Sequence, residues 1–282
     1  MSLVKFCASA NDAGRTLFKF LVKCLDNVPI SKIEKLFRQK DIVVNGQRCY
    51  EKTYTIKEHD WIEVYGVVNY HRTSAPPAVQ SLPLLQIIYE DEHLLVVNKP
   101  INVAVHGTPN CLDYQVLSYL NYRKHDSFQP SHVGRLDKPT SGLMLYAKTY
   151  LALVQLNQNR RHFQKYYQLK SDFPWTKKRV VCYARFDPRR RRLVAQAQPT
   201  SQLMETVFFQ EDNQKYAQII TGKKHQIRLT LQYLNYPILG DQRYGGRPAA
   251  RLFLHCAKVV LNHLDGALAY LNGVAFVNLI EW

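Results

Sequence analysis

The chain has 282 residues, of which 46% are apolar, so it can bury the core of one large domain or two smaller ones. Lys and Arg number 38 against 22 Asp and Glu, and the net charge of +16 favours a polyanionic partner over a neutral one. A basic surface that serves only solubility is the alternative. No apolar run approaches the ~18 residues that a membrane span needs, which argues against an integral membrane protein.

The cysteines are too widely scattered to form a zinc ribbon or a thioredoxin-like motif, because no C-x-x-C pair occurs. They stand at positions 7, 24, 49, 111, 182 and 256. Free thiols fit a reducing compartment. The apolar stretch at the start is too short and too interrupted for a signal peptide. We therefore expect a cytoplasmic protein.

Residues 1–70 have the pattern of a small compact unit. Apolar side chains at positions 17 to 25 recur at helical spacing. Ser31 to Glu34 have the pattern of a capping box, which predicts that a second helix starts there. Asn45-Gly46 supplies the left-handed residues of a tight hairpin turn, and residues 61–65 predict a closing strand.

The second predicted helix carries basic side chains on the face that its apolar residues leave open. Lys32, Lys35 and Arg38 belong to this set. Residues 71–83 follow the compact unit and are rich in Pro and Ser without periodicity, which predicts a linker.

From residue 84 to 282, strand-like apolar runs dominate and helical stretches intervene. The predicted strands are 84–89, 94–97, 143–146, 166–169 and 259–261, and a helix is predicted around 113–122. Because strands and helices do not alternate regularly, the pattern favours an α+β domain over a doubly wound parallel sheet.

A polar loop precedes the predicted strand 143–146. It runs from Arg135 to Gly142 and carries a single carboxylate, Asp137. A carboxylate in the loop just before a strand can point into a cleft. On local chemistry alone, a loop whose Asp and Thr only satisfy backbone amides is the favoured interpretation.

A second polar segment, Thr221 to Leu229, contains Gly222-Lys223. It is not a Walker loop, because Ala217 stands where the first Gly is required and Lys224 where Ser or Thr is required. The donors that remain suit phosphates, base edges or a carboxylate. A metal site is disfavoured because the four candidate histidines, at positions 106, 132, 225 and 255, lack ligand spacing.

Five blocks of the chain, in order, resemble the motifs of the RluA family of pseudouridine synthases. The catalytic signature matches at Arg135-Leu136-Asp137, Thr140-Ser141-Gly142 and Ala147-Lys148-Thr149. The other matches are Asn98-Lys99-Pro100 with Val103 to Gly107, Lys165 to Leu169, Gly222 to Arg228 with Pro237 to Tyr244, and Arg251 to His255. Together these blocks are spread over most of residues 84–260.

Residues 14–65 resemble the S4 RNA-binding domain that precedes many of these enzymes, most closely in Val28 to Ser31 and Val43 to Gly46. The resemblance implies a mixed, largely antiparallel α+β catalytic domain over residues 84–282. It also implies an S4-like domain over residues 1–70, with the linker between them.

The chain departs from the family pattern at two places. The family usually has His directly before Arg-Leu-Asp, whereas Val133-Gly134 follow His132 here, as in the sister RsuA family. Asn102 stands where the family commonly has Gly. Since Asn tolerates a left-handed conformation next best, the turn is expected to survive.

The resemblance implies roles for individual residues. Asp137 is expected to be the catalytic nucleophile, Arg228 to pair with it, and Tyr167 to stack on the uracil and take a proton from C5. Breaking the N1–C1′ bond of uridine and joining C5 to C1′ needs no cofactor. Contacts to the flipped-out nucleotide and the surrounding RNA are expected from Arg135, His132, Lys99, His225, Gln226, Lys32, Lys35 and Arg38.

The expected function is the isomerisation of uridines in structured RNA. The whole-chain pattern is most similar to family members that act on large-subunit ribosomal RNA, and a monomer is expected. Three alternatives remain at this point. They are an RsuA-like synthase, a synthase directed at transfer RNA, and a non-catalytic RNA-binding factor in ribosome assembly.

Overall fold

The structure, a computed structural model, describes residues 2–67, 85–174 and 178–282. The predicted linker, residues 71–83, lies outside the described residues, and so does Lys177. No helix in the described ranges is both long enough and apolar enough to cross a membrane.

Residues 2–67 form a four-stranded sheet with two helices. The strands are β1 (Leu3–Cys7), β2 (Ile42–Val44), β3 (Gln47–Arg48) and β4 (Trp61–Tyr65), and the helices are α1 (Leu17–Cys24) and α2 (Ile30–Arg38). The strand order is β1-β4-β2-β3, and every pair is antiparallel. Leu17, Leu21, Ile33 and Leu36 are fully buried in its core, as the helical spacing predicted.

The hairpin between β2 and β3 forms as predicted. Asn45 has φ of 51° and Gly46 has φ of 80°, the left-handed pair that a two-residue turn of this kind requires. The side chain of Asn45 also accepts a hydrogen bond from the backbone N–H of Trp61, at 2.8 Å. The turn is therefore held to the closing strand.

The predicted capping box at Ser31 is wrong. Helix α2 begins at Ile30 with Pro29 as its N-cap, and no side chain caps it. Pro29 is well suited to this position, because the φ that its ring imposes is compatible with the extended conformation of an N-cap. Its carbonyl accepts hydrogen bonds from the backbone N–H groups of Lys32 and Ile33. Glu34, the second half of the expected box, pairs instead with Lys52 at 3.1 Å.

A larger sheet of eleven strands follows. Its strands are β5 (Gln86–Glu90), β6 (Leu94–Lys99), β7 (Ser131–Val133), β8 (Ser141–Ala147), β9 (Gln164–Leu169), β10 (Lys178–Asp187), β11 (Arg192–Gln196), β12 (Leu203–Glu211), β13 (Gln214–Ile219), β14 (Leu254–Val260) and β15 (Ala275–Val277). The main path is β11-β10-β12-β13-β9-β14-β8-β6-β5, with β15 on β14 and β7 on β8. Only the β14–β8 pair is parallel among the described strands.

The described residues of this part of the chain form three α-helices: α3 (Leu112–Tyr119), α4 (Tyr150–Asn159) and α5 (Gln226–Tyr233). Two short 3₁₀ helices, Gln242–Tyr244 and Gly266–Leu271, follow them. The prediction of a mixed α+β fold with a largely antiparallel sheet is confirmed.

The central strands are buried on both faces. In β6, Leu94 and Val96 join the core on one side, while Leu95 and Val97 join the core on the other. Alternate side chains of a strand point to opposite faces, so a strand covered on both sides appears in the sequence as an unbroken apolar run. Each such buried side chain contributes roughly 1.5–3 kcal/mol through the hydrophobic effect.

Polar contacts, one buried and one exposed, join the two parts of the chain. The carboxylate of Asp12, which is 1% exposed, accepts a hydrogen bond from the backbone N–H of Ser127 at 2.8 Å. The ammonium of Lys124 lies 2.7 Å from the carboxylate of Asp26. Residues 2–67 are therefore in direct contact with the part of the chain that forms the larger sheet.

Candidate active site

Asp137 lies in the loop that joins β7 to β8. Gly134, with φ of 73°, turns the chain out of β7, and the backbone N–H of Thr140 closes the loop by donating to the Asp137 carbonyl at 3.0 Å. The Asp137 side chain is 22% exposed. The loop therefore presents one carboxylate at the surface of a cleft.

A glycine fixes the strand that follows this loop. Gly142 has φ of 115° and lies opposite Cys256 in the parallel β8–β14 pair. A Cβ at this position would lie 2.3 Å from the Cys256 carbonyl oxygen, which no side chain tolerates. The absence of a side chain therefore allows β14 to approach directly behind the Asp137 loop.

Arg228 links Asp137 to a second, buried carboxylate. Its Nη1 lies 3.1 Å from Asp137 Oδ2, while its Nε and Nη2 each donate to Asp241 at 2.8 Å. Arg228 is 5% exposed and Asp241 is 2% exposed. Burial alone would lower the pKa of Arg228, but the hydrogen bonds and charges of Asp241 and Asp137 raise it. The guanidinium therefore remains charged and faces Asp137.

Sequence reasoning missed Asp241. It is held by two close backbone approaches: a Cβ on Gly240 would lie 1.8 Å from the Arg251 carbonyl oxygen, and one on Gly246 would lie 2.1 Å from that of Ile238. The signal was present in the sequence as an acidic residue flanked by glycines. Without the fold, however, that pattern is typical of an ordinary turn.

His225 lines this side of the cleft, and Tyr244 holds it in place. His225 has φ of 57° at the start of α5, and its Nε2 lies 3.6 Å from Asp137 Oδ1. Its Nδ1 shares a 2.6 Å hydrogen bond with the Tyr244 hydroxyl. Burial lowers the pKa of His225, and the Asp137 charge opposes this only in part. The imidazole is therefore neutral at pH 7, and Arg228 is the cation that compensates Asp137.

Tyr167 lies on β9, 7% exposed, and lines the same cleft. It faces Cys256 across the β9–β14 pair. Burial, followed by the effects of Cys256 and Asp137, raises the pKa of Tyr167 well above its usual value. The hydroxyl is therefore protonated at neutral pH, and the role expected of it as a base at C5 requires that its proton leave first.

The residues lining the cleft combine one carboxylate with several cationic and apolar side chains. They are Arg135, Leu136, Asp137, Thr140, Tyr167, Ile219, Lys223, His225, Gln226, Ile227, Arg228 and Leu254. The fold thus brings together the three residues predicted to be catalytic. Arg135 is exposed at the rim, where RNA can reach it.

The predicted RNA contacts of Lys99 and Gln226 are corrected by the structure. Lys99 has no exposed surface, and its Nζ donates to the carbonyls of Pro100, Val103 and Lys138 at 2.8, 2.9 and 3.1 Å. Its ammonium therefore ties the first motif to the residue that follows Asp137. Asn102, within this turn, has φ of 61°, so the expected left-handed residue is present.

The amide of Gln226, 4% exposed, is likewise engaged inside the protein. Its nitrogen donates to the Glu205 carbonyl at 2.8 Å, and its oxygen accepts from the Lys223 N–H at 3.0 Å. It braces the segment that precedes α5. A side chain whose donors and acceptors are satisfied internally gains little by turning to RNA.

Lys99→Met is expected to destabilise the protein more in alkaline than in mildly acidic solution. Burial lowers the pKa of Lys99 from 10.5 to about 7, with a smaller opposing effect of Asp137. Between these values the unfolded chain holds a proton that the folded protein has lost, so wild-type stability rises with pH relative to the variant. Urea unfolding at about pH 6 and about pH 9 measures this gap. A gap that stays constant or narrows with pH would contradict the assignment.

Two other histidines are engaged elsewhere. Nδ1 of His132 lies 3.0 Å from Asp113 Oδ1, and His132 is not part of the cleft lining at Asp137. His255 is 1% exposed between Ser141 and the Asn278 carbonyl, and burial lowers its pKa to about 4. His255 is thus an internal hydrogen-bonding histidine, and the expected role of His132 in RNA binding stays a prediction.

The RNA pseudouridylate synthase family model matches residues 93–233. An uncharacterized RNA pseudouridine synthase of Mycoplasma capricolum is 34% identical, over 99% of both chains. Ribosomal large subunit pseudouridine synthase C of Vibrio cholerae is 31% identical, over 89% of this chain and 86% of its own. Among solved structures, human RNA Pseudouridylate Synthase Domain Containing 4 shares the fold with a TM-score of 0.54 and 22% identity, over 70% of this chain and 88% of its own.

The fold and the cleft, taken with these matches, define an enzyme that isomerises uridine in RNA. The chain belongs to the RNA pseudouridylate synthase family.

Proposed function

We propose that this synthase converts specific uridines of large-subunit ribosomal RNA to pseudouridine, with Asp137 as the nucleophile. The observation that carries the proposal is the Asp137 carboxylate, held at 3.1 Å by the buried guanidinium of Arg228 at the mouth of the cleft. The Vibrio cholerae relative, named for the large ribosomal subunit, supports the choice of RNA.

The reaction moves one bond. The glycosidic bond from uracil N1 to ribose C1′ breaks, uracil turns, C5 bonds to C1′, and the proton of C5 is replaced by one on N1. Asp137 attacks or stabilises the detached sugar, and the guanidinium of Arg228 balances the charge of the carboxylate and holds it in position. Tyr167 lies under the base, and exposed Arg135 contacts the flipped-out nucleotide. The chemistry involves no redox change and no group donor, so these residues suffice without a cofactor.

We further propose that residues 1–70 are an S4-like RNA-binding domain and residues 84–282 the catalytic domain. Helix α2 supports this, because Lys35 and Arg38 are exposed and Lys32 is half-exposed beside them. Its apolar residues face inward, with Ile33 fully buried. A helix with one buried face and one basic face suits phosphate contacts to structured RNA.

Replacing Lys32, Lys35 and Arg38 by Gln is expected to weaken binding to structured RNA about tenfold, and to lower the dependence of affinity on salt by about 2 to 3 in logarithmic slope. The rate at saturating RNA should be unchanged, since no substitution touches the cleft. Binding titrations at two salt concentrations measure both effects. Retention of the full salt slope would contradict an RNA-binding role for α2.

The choice of RNA is tested by offering the purified protein separate large-subunit, small-subunit and transfer RNAs that lack modifications. Pseudouridine is then mapped in each. We expect conversion at a few sites of the large-subunit RNA. Conversion confined to small-subunit or transfer RNA would replace the ribosomal target with an RsuA-like or a transfer RNA target. The expected monomer and cytoplasmic localisation stay predictions.

A further inference from the structure

The hairpin formed by β10 and β11 carries the densest positive charge in the sequence. Residues 185–192 contain five arginines and one aspartate. We propose that this segment, the arginine hairpin, binds the phosphate backbone of the RNA beside the nucleotide that enters the cleft. The inference rests on the proposed function, because it assumes that the polyanion at this surface is the RNA substrate.

The tip of the arginine hairpin is ordered by its own backbone. The Asp187 carboxylate accepts from the backbone N–H groups of Arg189 and Arg190 at 2.9 and 3.2 Å, and Arg191 has φ of 48°. These contacts fix the turn while the side chains of Arg189, Arg190 and Arg191 remain exposed. Less conformational entropy is lost on binding when the backbone is already fixed.

The positive charge at the tip is poorly compensated within the protein. Arg190 Nε lies 3.8 Å from Asp187, at the limit of an ion pair. The described residues provide no acidic partner within ion-pair distance for Arg189 or Arg191. Arginines held together in this way repel one another, and an RNA backbone that threads between them relieves the repulsion and releases its counterions.

One aromatic side chain joins the arginine hairpin to the cleft. The guanidinium of Arg192 donates to the Arg243 carbonyl and lies 5.7 Å from the centre of the Tyr244 ring. The same ring lies 5.0 Å from the guanidinium of Arg228, and its hydroxyl binds His225. The side chain of Tyr244 therefore lies between Arg192, the first residue of β11, and the two residues beside Asp137, Arg228 and His225.

The base of the hairpin is packed, so its position relative to the cleft is fixed. Cys182 and Ala184 of β10 share a buried core with Leu229 of α5 and with Tyr244. Helix α5 also supplies Arg228. The same helix thus positions both the cation that pairs with Asp137 and the strand that leads to the arginine tip.

The test compares R189Q/R191Q with R123Q/R161Q. Both variants lose two exposed positive charges, and Arg123 and Arg161 lie outside the chain of contacts from the hairpin to the cleft. We expect R189Q/R191Q to raise KM for the RNA by about three- to tenfold and to lower the logarithmic salt slope by about 1 to 2, with kcat unchanged. The control variant should change KM by less than about twofold.

Equal KM values for the two variants would overturn the proposal, because the hairpin tip would then be a solvent-exposed turn with no role in RNA binding. A fall in kcat with unchanged KM would overturn it as well, since the effect would then be on the cleft. Failure of the proposed function itself is recognised separately, because the wild-type protein would then leave the ribosomal RNA unconverted before any variant is compared.

Discussion

Asp137→Asn is expected to abolish pseudouridine formation, with a loss of at least about 10⁴-fold in the single-turnover rate. Asparagine keeps the shape of the side chain, and its amide oxygen can still accept from Arg228 Nη1, which lies 3.1 Å from Asp137 Oδ2. It removes the negative charge that attacks or stabilises the detached sugar. Because an amide cannot serve as that nucleophile, chemistry fails although binding survives.

A matched control is Asp172→Asn. Asp172 also pairs with an arginine, Arg247, at 2.9 Å, but it is 74% exposed and outside the cleft. Its substitution should leave the rate unchanged, because exposed ion pairs contribute little. Chromatography of nucleosides from digested RNA quantifies pseudouridine for both variants. Turnover by Asp137→Asn at a rate near that of the control would remove Asp137 from its proposed role.

Arg228→Met is expected to lower both activity and stability. It leaves the carboxylate of Asp241, which is 2% exposed, without its two charged hydrogen bonds of 2.8 Å. Removing one partner of a buried pair typically costs about 3 to 5 kcal/mol in the free energy of unfolding, because the other charge stays buried and uncompensated. Asp137 also loses the cation that holds its carboxylate in position. Urea unfolding and single-turnover rates measure the two losses separately.

Two further variants distinguish these effects. Arg228→Met combined with Asp241→Asn removes the uncompensated charge, so part of the stability should return while the rate stays low. Arg228→Lys keeps the charge, but a single ammonium cannot span both carboxylates, so an intermediate rate is expected. If Arg228→Met left the free energy of unfolding and the rate at wild-type values, the pairing of Arg228 with Asp241 and Asp137 would contribute neither to stability nor to catalysis.

Several secondary-structure elements were predictable because their signals are local. The apolar run at 94–97 predicted the first four residues of β6, and Asn45-Gly46 predicted the β2–β3 turn. The start of α2 was mispredicted, since the capping-box pattern and Pro29 are rival local signals and only the backbone shows which one prevails. This error moves the helix boundary by two residues, from Ser31 to Pro29 as the N-cap, and leaves the helix in place.

The site was only partly predictable. Asp137 and Arg228 are 91 positions apart, and no local rule pairs them. Their pairing was expected only because the order of motifs resembles that of a known family. Read alone, Asp137 was one acidic residue in a polar loop.

What the sequence by itself determined is the class of enzyme, and its resemblance to the family's catalytic signature also named the proposed nucleophile. These depend on residue types and spacings, which are visible along the chain. Only the tertiary structure decided that Lys99 is an internal clamp and that Asp241 completes the charge balance of Arg228. The physical reason is burial. Whether a charged side chain meets water, RNA or three backbone carbonyls depends on chain segments that the fold brings together from distant positions.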